Sequence, residues 1–227
     1  ELKEEEKHLV IQILLDLTAK IAEYKPNLEE YQAFLEYIDF TQAKANYAYS
    51  INGILPKISE SRIIKLVDAY HPVLFLNNKR KQQKTIPQSL EINEECRIII
   101  ISGPNAGGKS ITLKTIGLLQ IMIQSGILVP VKEGSQFGFF NQIFTDIGDN
   151  QSIENHLSTY SYRLKQMSYF LKNADEKTLL LVDEFGTGSD PELGGALAEV
   201  FFEEFYERNS FGIFTTHYTN IKLSAEQ

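Results

Sequence analysis

Apolar side chains recur at helical intervals along the N-terminal part of the chain. Over Leu2–Tyr24 they repeat in steps of three and four residues, which predicts one face of an amphipathic helix. The residues of this face are Leu9, Val10, Ile13, Leu14, Leu17 and Ile21. Lys25–Asn27 is expected to end that helix, and a second helix is predicted over about Leu28–Asn52. The pair predicts a helical hairpin over residues 1–59, which is either an arm leaning on another domain or a cap on the same domain.

From Arg62 onward, short β-type runs alternate with helical patterns. The predicted strands are Val73–Leu76, Arg97–Ile101, Gln142–Ile147, Thr178–Val182 and Phe211–Thr215. The predicted helices are Lys109–Gln124, Thr159–Lys172 and Pro191–Arg208. Ile98–Ile101 and Leu179–Val182 are apolar on both faces, which predicts central strands of a sheet that is covered on both sides. The fold class expected for residues 60–227 is therefore α/β, with a mixed sheet flanked by helices.

The charge balance limits contact with nucleic acid. With 22 Lys and Arg against 30 Asp and Glu the net charge is −8, so the surface as a whole repels DNA. The basic segment Asn77–Lys84 is expected to be an exposed loop between strands, with a DNA-contacting patch as the less favoured alternative. Hydrophobic residues at 43% and charged residues at 23% exclude a disordered chain and a disulfide scaffold.

Cysteine usage and hydropathy indicate a cytoplasmic protein. Cys96 stands alone within the apolar stretch Cys96–Ile101, where we expect a small, reduced core residue. Every apolar run is shorter than the roughly 18 residues of a membrane helix, and the N-terminus is acidic, so no membrane contact is expected. Because the chain begins without Met and stops soon after a strand-like segment, we expect it to be part of a longer protein.

A phosphate-binding loop is predicted directly after the strand Arg97–Ile101. The pattern G-x-x-x-x-G-K-S is satisfied by Gly103, Pro104, Asn105, Ala106, Gly107, Gly108, Lys109 and Ser110, with Ile111 following in the helix. Glycines leave no Cβ in the way, so successive backbone N–H groups can surround an anion. Lys109 supplies a charge for the β- and γ-phosphates, and the Ser110 hydroxyl is placed to ligate Mg²⁺. The segment therefore predicts binding of ATP or GTP.

Two further strand ends carry candidate catalytic groups. Asp183 and Glu184 follow the buried run Leu179–Val182, at the carboxyl end of a strand, where α/β sheets bind their ligands. Because adjacent strand residues point to opposite faces, we expect Asp183 to reach the Mg²⁺ shell and Glu184 to accept a proton from the attacking water. His217 follows the strand Phe211–Thr215 and is interpreted as a γ-phosphate sensor rather than a structural histidine. These groups predict hydrolysis as well as binding.

The order of the motifs resembles the ATPase domain of the MutS family. The segments that carry the resemblance are the phosphate loop, Phe144–Ser152, Leu157–Ser161, Asp183–Glu184, Gly186–Pro191 and Thr215–Tyr218. His71–Val73 is similar to the His-Pro segment that precedes the nucleotide site in that family. The resemblance extends over Arg62–Lys222, and residues 1–59 resemble the helices that lead in from the clamp and lever region.

The resemblance implies an ABC-type ATP site shared between two subunits of a homodimer. It implies that Ser158 and Thr159 contact the partner subunit's γ-phosphate, although Ser or Thr at a helix start is more often an N-cap on sequence alone. By the same resemblance, Gln151 would link the metal and the attacking water to the rest of the site. His71 would lie at the nucleotide, and Ile86 would pack against adenine.

Details within the motifs favour one branch of the family. Ile111 stands where mismatch-repair MutS usually has Thr, and Gly186–Pro191 reads Gly-Thr-Gly-Ser-Asp-Pro where that branch usually has a Gly-Arg-Gly-Thr type of sequence. Both features are similar to the second MutS branch, whose members lack mismatch-reading domains and often carry a C-terminal Smr nuclease domain. These features favour the second branch.

The resemblance leads to a primary hypothesis and two alternatives. The primary hypothesis is a Mg²⁺-dependent, nucleoid-associated ATPase module for DNA repair or recombination, which dimerises and couples hydrolysis to a DNA clamp formed by other parts of the protein. The first alternative is an ABC-transporter or SMC-type ATPase domain, although Leu157–Ser161 stands where those proteins have a Leu-Ser-Gly-Gly-Gln signature. The second is a nucleotide-dependent scaffold that acts on ribosomes.

Overall fold

The computed structural model describes residues 2–103, 108–148, 156–184 and 191–217, excluding the side chains of residues 156–160 and 191–193. The chain divides into two compact units, Glu1–Tyr47 and Ala48–Gln227. In the described part of the chain, no helix is both long enough and apolar enough to cross a membrane.

Two long helices make up the first unit, and the second of them ends a few residues after the unit boundary. Helix α1 spans Leu2–Ala22 and α2 spans Lys25–Ile51, which confirms both predicted helices. The second helix begins earlier than predicted, because Pro26 lies in its first turn, where a missing N–H does no damage. None of the residues of α1 is buried, so its apolar face is exposed within this chain.

The second unit contains the remaining elements. In chain order they are β1 (Lys57–Ile58), β2 (Ile64–Ala69), α3 (Pro72–Arg80), β3 (Gln88–Ile92), β4 (Ile98–Ile101), α4 (Lys109–Gln124), β5 (Gln136–Phe137), β6 (Gln142–Asp146), α5 (His156–Asn173), β7 (Thr178–Val182), α6 (Pro191–Glu207) and β8 (Phe211–Thr215). The described strands form two sheets. The smaller one is mixed, with the order β1-β5-β2-β3, and none of its strands was predicted.

The other sheet carries the predicted motifs. It is parallel throughout, with the order β4-β8-β7-β6. Every residue of β7 and β8 is buried, as expected for central strands. The isoleucine run of β4, however, stands at one end of the order of the described strands and is only half-buried, whereas a central position was expected. An apolar run indicates that both faces of a strand are covered by other elements, but it does not indicate how many strands pair with it.

Helices cover both faces of the parallel sheet, which confirms the α/β fold class. On one face, Leu180, Val182 and Phe214 belong to a buried cluster that includes Phe170 of α5 and Phe202 of α6. On the opposite face α4 lies very close to β7. A Cβ added at Gly117 of α4 would stand 2.7 Å from Leu181 Cδ1, so only glycine fits there without displacement of that leucine. This close contact packs α4 against the sheet.

The predicted strand Val73–Leu76 is wrong, because these residues lie within α3. His71 is the N-cap of this helix, and its Nδ1 accepts a hydrogen bond from the Leu74 N–H. Pro72 occupies the first turn, where its fixed φ favours a helix. Asn77–Arg80 therefore forms the last turn of α3 and is not part of a loop.

The expectation of a buried Cys96 is also wrong. Cys96 is exposed and lies in the turn that precedes β4. The Asn93 side chain organises this turn, since its Oδ1 accepts hydrogen bonds from the N–H groups of Glu95 and Cys96. The strand β4 begins at Ile98, after this turn, so Cys96 lies outside the strand that the apolar run forms.

Candidate functional site

The two described ends of the segment between β4 and α4 are glycines with positive φ. Gly103 has φ +144°, and a Cβ added there would meet no atom of the described residues within 4 Å. Gly108 stands at the N-cap of α4 in the left-handed conformation, and none of the described side chains caps the helix. Among the described residues the positive end of α4 is therefore not occupied by a capping side chain, an arrangement that suits a bound phosphate. Residues 104–107, which include the predicted Pro104, Asn105, Ala106 and Gly107, lie outside the described residues.

Lys109 connects this loop with the end of β8. The side chain is buried, and its Nζ donates a hydrogen bond of 2.5 Å to the Gly103 carbonyl oxygen. The same Nζ lies 3.2 Å from Nε2 of the exposed His217. An ammonium group has no lone pair, so Lys109 donates, Nε2 accepts, and the ring hydrogen of His217 is assigned to Nδ1. Tertiary structure thus brings two predicted site residues into direct contact.

The two strand-end carboxylates lie beside Thr215. Asp183 is buried, and its N–H donates to the Asp146 carbonyl oxygen at 2.8 Å. Glu184 is half-buried and adopts the left-handed conformation, with φ +51°. Thr215 Oγ1 donates to Asp183 Oδ1 at 2.5 Å and accepts from the Glu184 N–H at 2.7 Å. The Asp183 carboxylate and the Glu184 backbone are therefore anchored at the carboxyl edge of the parallel sheet.

These elements enclose a cavity of about 210 Å³. Its lining residues are Lys109, Ser110, Lys114, Gly148, Arg163, Asp183 and Glu184. Three of them are cations and two are carboxylates, so the cavity offers charges for phosphate oxygens and for a hard divalent cation. Lys114 and Arg163 were not predicted. The position of Lys114 one turn after Ser110 on α4 is a local signal that could have identified it, whereas no local pattern identifies Arg163.

Arg163 compensates a second buried acid next to the cavity. Its Nε lies 3.5 Å from Oδ2 of Asp146, and only 18% and 8% of the two side chains are exposed. Burial raises the pKa of Asp146, the charge of Arg163 lowers it in part, and the nearby Asp183 raises it. The guanidinium group therefore offsets part of the unfavourable effect of placing Asp146 close to Asp183.

The residues of the cavity fit a nucleoside triphosphate with Mg²⁺. The uncapped end of α4 and the cations around it suit a polyphosphate, and Ser110 with Asp183 offers the oxygen ligands that Mg²⁺ prefers. Among the described residues there is no group of three or more metal-binding side chains, and a Mg²⁺ ion held by phosphates uses only one or two carboxylates. Because drug-sized ligands occupy roughly 300–1,000 Å³, this cavity matches the phosphates rather than the whole nucleotide.

Three other residues that were predicted to contact the nucleotide do not line the cavity. Ile111 is half-buried behind the loop, where a Cβ at Gly108 would stand 3.3 Å from its Cγ2. The pKa of His71 is lowered by burial and by the charge of Lys114, so His71 lies near the cavity without lining it. Ile86 is 81% exposed and is not brought to the cavity.

Several predicted site residues, or their side chains, lie outside the described part of the chain. Gln151 and the loop Gly186–Asp190 lie outside the described residues. Ser158 and Thr159 lie in the first turn of α5, which begins at His156, but their side chains are not described.

Comparison with known proteins gives a consistent result. Residues 99–227 match the family described as MutS domain V. The whole chain is similar to a protein of Caldicellulosiruptor saccharolyticus named Endonuclease MutS2, with 41% identity over 226 residues, 100% of this chain and 28% of that protein. Proteins of the same name from Shouchella clausii and Geobacillus thermodenitrificans are 40% and 38% identical over 98% of this chain and cover 27% and 28% of their own lengths. This chain therefore spans little more than a quarter of the curated relatives that it matches.

Proposed function

Because the chain belongs to the MutS domain V family, we propose that it is the ATP-binding and ATP-hydrolysing module of a longer protein of the second MutS branch. The observation that carries this proposal is the arrangement of Lys109, which lies between the Gly103 carbonyl and His217 in a cavity also lined by Asp183 and Glu184. The family match favours this assignment over a transporter or SMC-type ATPase.

Binding of the triphosphate depends on the cations of the cavity. Lys109 exchanges its hydrogen bond to the Gly103 carbonyl for the β- and γ-phosphates, and Lys114 and Arg163 add positive charge to the lining of the cavity. Ser110 and Asp183 would hold Mg²⁺, which when bound neutralises charge on the phosphates. His71 would take part only indirectly, as a neighbour of Lys114.

Binding of the triphosphate also changes the hydrogen bond that His217 makes. Its Nε2 accepts a hydrogen bond from Lys109, whereas contact with a phosphate oxygen requires a hydrogen on that same nitrogen. When Lys109 moves towards the phosphates, Nε2 therefore takes up a hydrogen from solvent and Nδ1 releases its hydrogen to solvent. This exchange lets His217 respond to the presence of a γ-phosphate.

Glu184 is the proposed general base. It lines the cavity at the end of β7, where its carboxylate can accept a proton from the water that attacks the γ-phosphate. Gln151 is proposed to orient the same water. In the remainder of the cycle, ATP closes a homodimer in which Ser158 and Thr159 complete the partner subunit's site, and hydrolysis reopens it.

The DNA-handling parts of the protein are proposed to lie outside this chain. The relatives are more than three times as long as this chain, and their name describes them as endonucleases. The net charge of −8 supports a division in which this module supplies the ATP-driven motion and other segments grip DNA during repair or recombination.

Replacement of Glu184 with Gln tests the proposed hydrolysis. The amide keeps the size of the side chain but does not accept the proton, so ATP binding should persist while phosphate release slows by about 10²-fold. Both quantities can be measured on the purified chain, by calorimetry and by a colorimetric phosphate assay. Glu95→Gln is the matched control, because Glu95 is exposed and lies outside the cavity. Parental turnover by the Glu184→Gln variant, or no turnover by the parent protein, would contradict the assignment.

A further inference from the structure

We infer that Thr215 is a positioning residue whose hydroxyl group holds the Asp183 carboxylate and the Glu184 backbone at the ATP site. This inference rests on the proposed function. Thr215 is the last residue of β8 and is completely buried. Its Oγ1 donates to Asp183 Oδ1 at 2.5 Å and accepts from the Glu184 N–H at 2.7 Å. One hydroxyl group therefore contacts two consecutive residues of the neighbouring strand end.

The register of the parallel sheet brings these groups together. Val182 is paired with Phe214, so the residues that follow each of them, Asp183 and Thr215, are neighbours where the two strands end. The other buried residues of β8 are mostly apolar, and Val would fill the same volume at position 215. The hydroxyl is therefore the feature of this side chain that needs an explanation.

The hydrogen bond to Asp183 fixes the orientation of that carboxylate. A hydroxyl group has a single hydrogen, and here it is directed at Oδ1. The bond occupies one lone pair of Oδ1, so the carboxylate cannot rotate without losing this donor, and its remaining lone pairs are held in one orientation for a metal ion. Groups that orient a metal ligand in this way change metal affinity by about 10- to 100-fold when they are removed.

The second hydrogen bond supports an unusual backbone conformation. Glu184 has φ +51°, a region that a residue with a Cβ adopts only when its surroundings stabilise it. The bond from the Glu184 N–H to Thr215 Oγ1 provides such support in the residue that carries the proposed base. Two residues further along the chain, His217 contacts Lys109, so the end of β8 contacts residues of both β7 and α4 that line the cavity.

Thr178 offers a matched control within the same sheet. It is also completely buried, its Oγ1 donates to Asp175 Oδ1 at 2.7 Å, and it accepts from the Asp175 N–H at 3.0 Å. Like Thr215, this threonine donates to an aspartate side chain and accepts from a backbone N–H, but both of its bonds are to one residue and it lies at the opposite end of β7 from the cavity. Its replacement therefore reports the purely structural effect of losing a buried hydroxyl.

The test measures ATP binding to the whole chain by fluorescence of a labelled ATP, in EDTA and across a Mg²⁺ titration, together with the thermal unfolding midpoint. For Thr215→Val we expect the Mg²⁺ concentration that gives half-maximal enhancement of ATP binding to rise about 10-fold or more. The affinity for ATP in EDTA should change less than about two-fold. Thr215→Ser should restore the parental Mg²⁺ dependence. Thr178→Val should lower the unfolding midpoint and leave the Mg²⁺ dependence unchanged.

Two results would overturn the inference while leaving ATP binding intact. One is an unchanged Mg²⁺ dependence in Thr215→Val, and the other is an equal shift in Thr178→Val. If Thr215→Val does not fold, Thr215→Ala is measured in its place, since it removes the hydroxyl without placing a methyl group beside the carboxylate. Absence of ATP binding by the parent chain would overturn the proposed function and, with it, this inference.

Discussion

Replacing Arg163 with Met removes the charge that compensates Asp146 and keeps an unbranched side chain in its place. The Nε to Oδ2 distance is 3.5 Å. At this distance two unit charges interact by about 1 kcal/mol in water and about 5 kcal/mol at an effective dielectric constant of about 20. Because 82% of the guanidinium side chain and 92% of the carboxylate side chain are shielded from solvent (100 − 18 and 100 − 8), the higher half of this range applies. We expect the free energy of unfolding at neutral pH to fall by about 3 kcal/mol.

The loss should depend on pH in a defined direction. Burial raises the pKa of Asp146, and Arg163 opposes that rise. A carboxyl group whose folded pKa exceeds its unfolded value stabilises the fold below the unfolded pKa, and this contribution disappears as pH rises through the folded pKa. Without Arg163 the folded pKa of Asp146 rises further. Parent and variant should therefore be similar in stability near pH 4 and diverge as pH increases, since the ordinary pKa of Asp is about 3.9.

Urea unfolding between pH 4 and pH 8 measures this difference. Arg208→Met is the matched control, because Arg208 pairs with Glu204 at 3.6 Å while more than 40% of each side chain is exposed, and its loss should change stability by less than about 1 kcal/mol. Adding Asp146→Asn to Arg163→Met removes the uncompensated carboxylate and should recover most of the stability. A loss that does not vary with pH, or that Asp146→Asn leaves unchanged, would refute the reasoning.

Three further predictions concern ligands and partners. Lys109→Ala should abolish ATP binding in a calorimetric titration, because it removes the buried cation of the phosphate loop, whereas Lys84→Ala in the exposed segment should retain it; equal affinities would exclude the role of Lys109. In a mixed dimer, Ser158→Ala should reduce ATP turnover only at the site that it completes in trans, and equal loss at both sites would indicate helix capping instead. The isolated chain should bind duplex DNA weakly, without preference for a mismatch and with steep salt dependence, given its net charge of −8; tight, mismatch-selective anisotropy at physiological salt would contradict this.

The sequence by itself determined the features that depend on short contiguous segments. The phosphate-loop pattern, the strand before it and the helix after it are fixed by local steric and hydrogen-bonding requirements of the backbone, and the structure places β4 and α4 at the predicted positions. Buried runs that end in Asp183–Glu184 and in His217 indicated one sheet edge, because the carboxyl ends of parallel strands coincide. The α/β class follows from the same alternation of elements.

Short or isolated signals were insufficient. Val73–Leu76 is four apolar residues, too few to distinguish a period of two from one of 3.6, and the cap at His71 decided for a helix. The burial of Cys96 depended on whether the turn at Asn93 lies inside or outside the sheet, which no apolar run specifies. The four strands of the smaller sheet are short or interrupted, so their patterns are weak.

Only the tertiary structure decided which side chains complete the cavity. Arg163 comes from α5, Asp146 from β6 and Thr215 from β8, and they meet the two acids at the end of β7 because the strand order places β6 and β8 on either side of it. The sequence contains each of these residues without any spacing that relates them. Their shared electrostatics and hydrogen bonds arise from packing between elements far apart in the chain, and such contacts are fixed only when the whole sheet has formed.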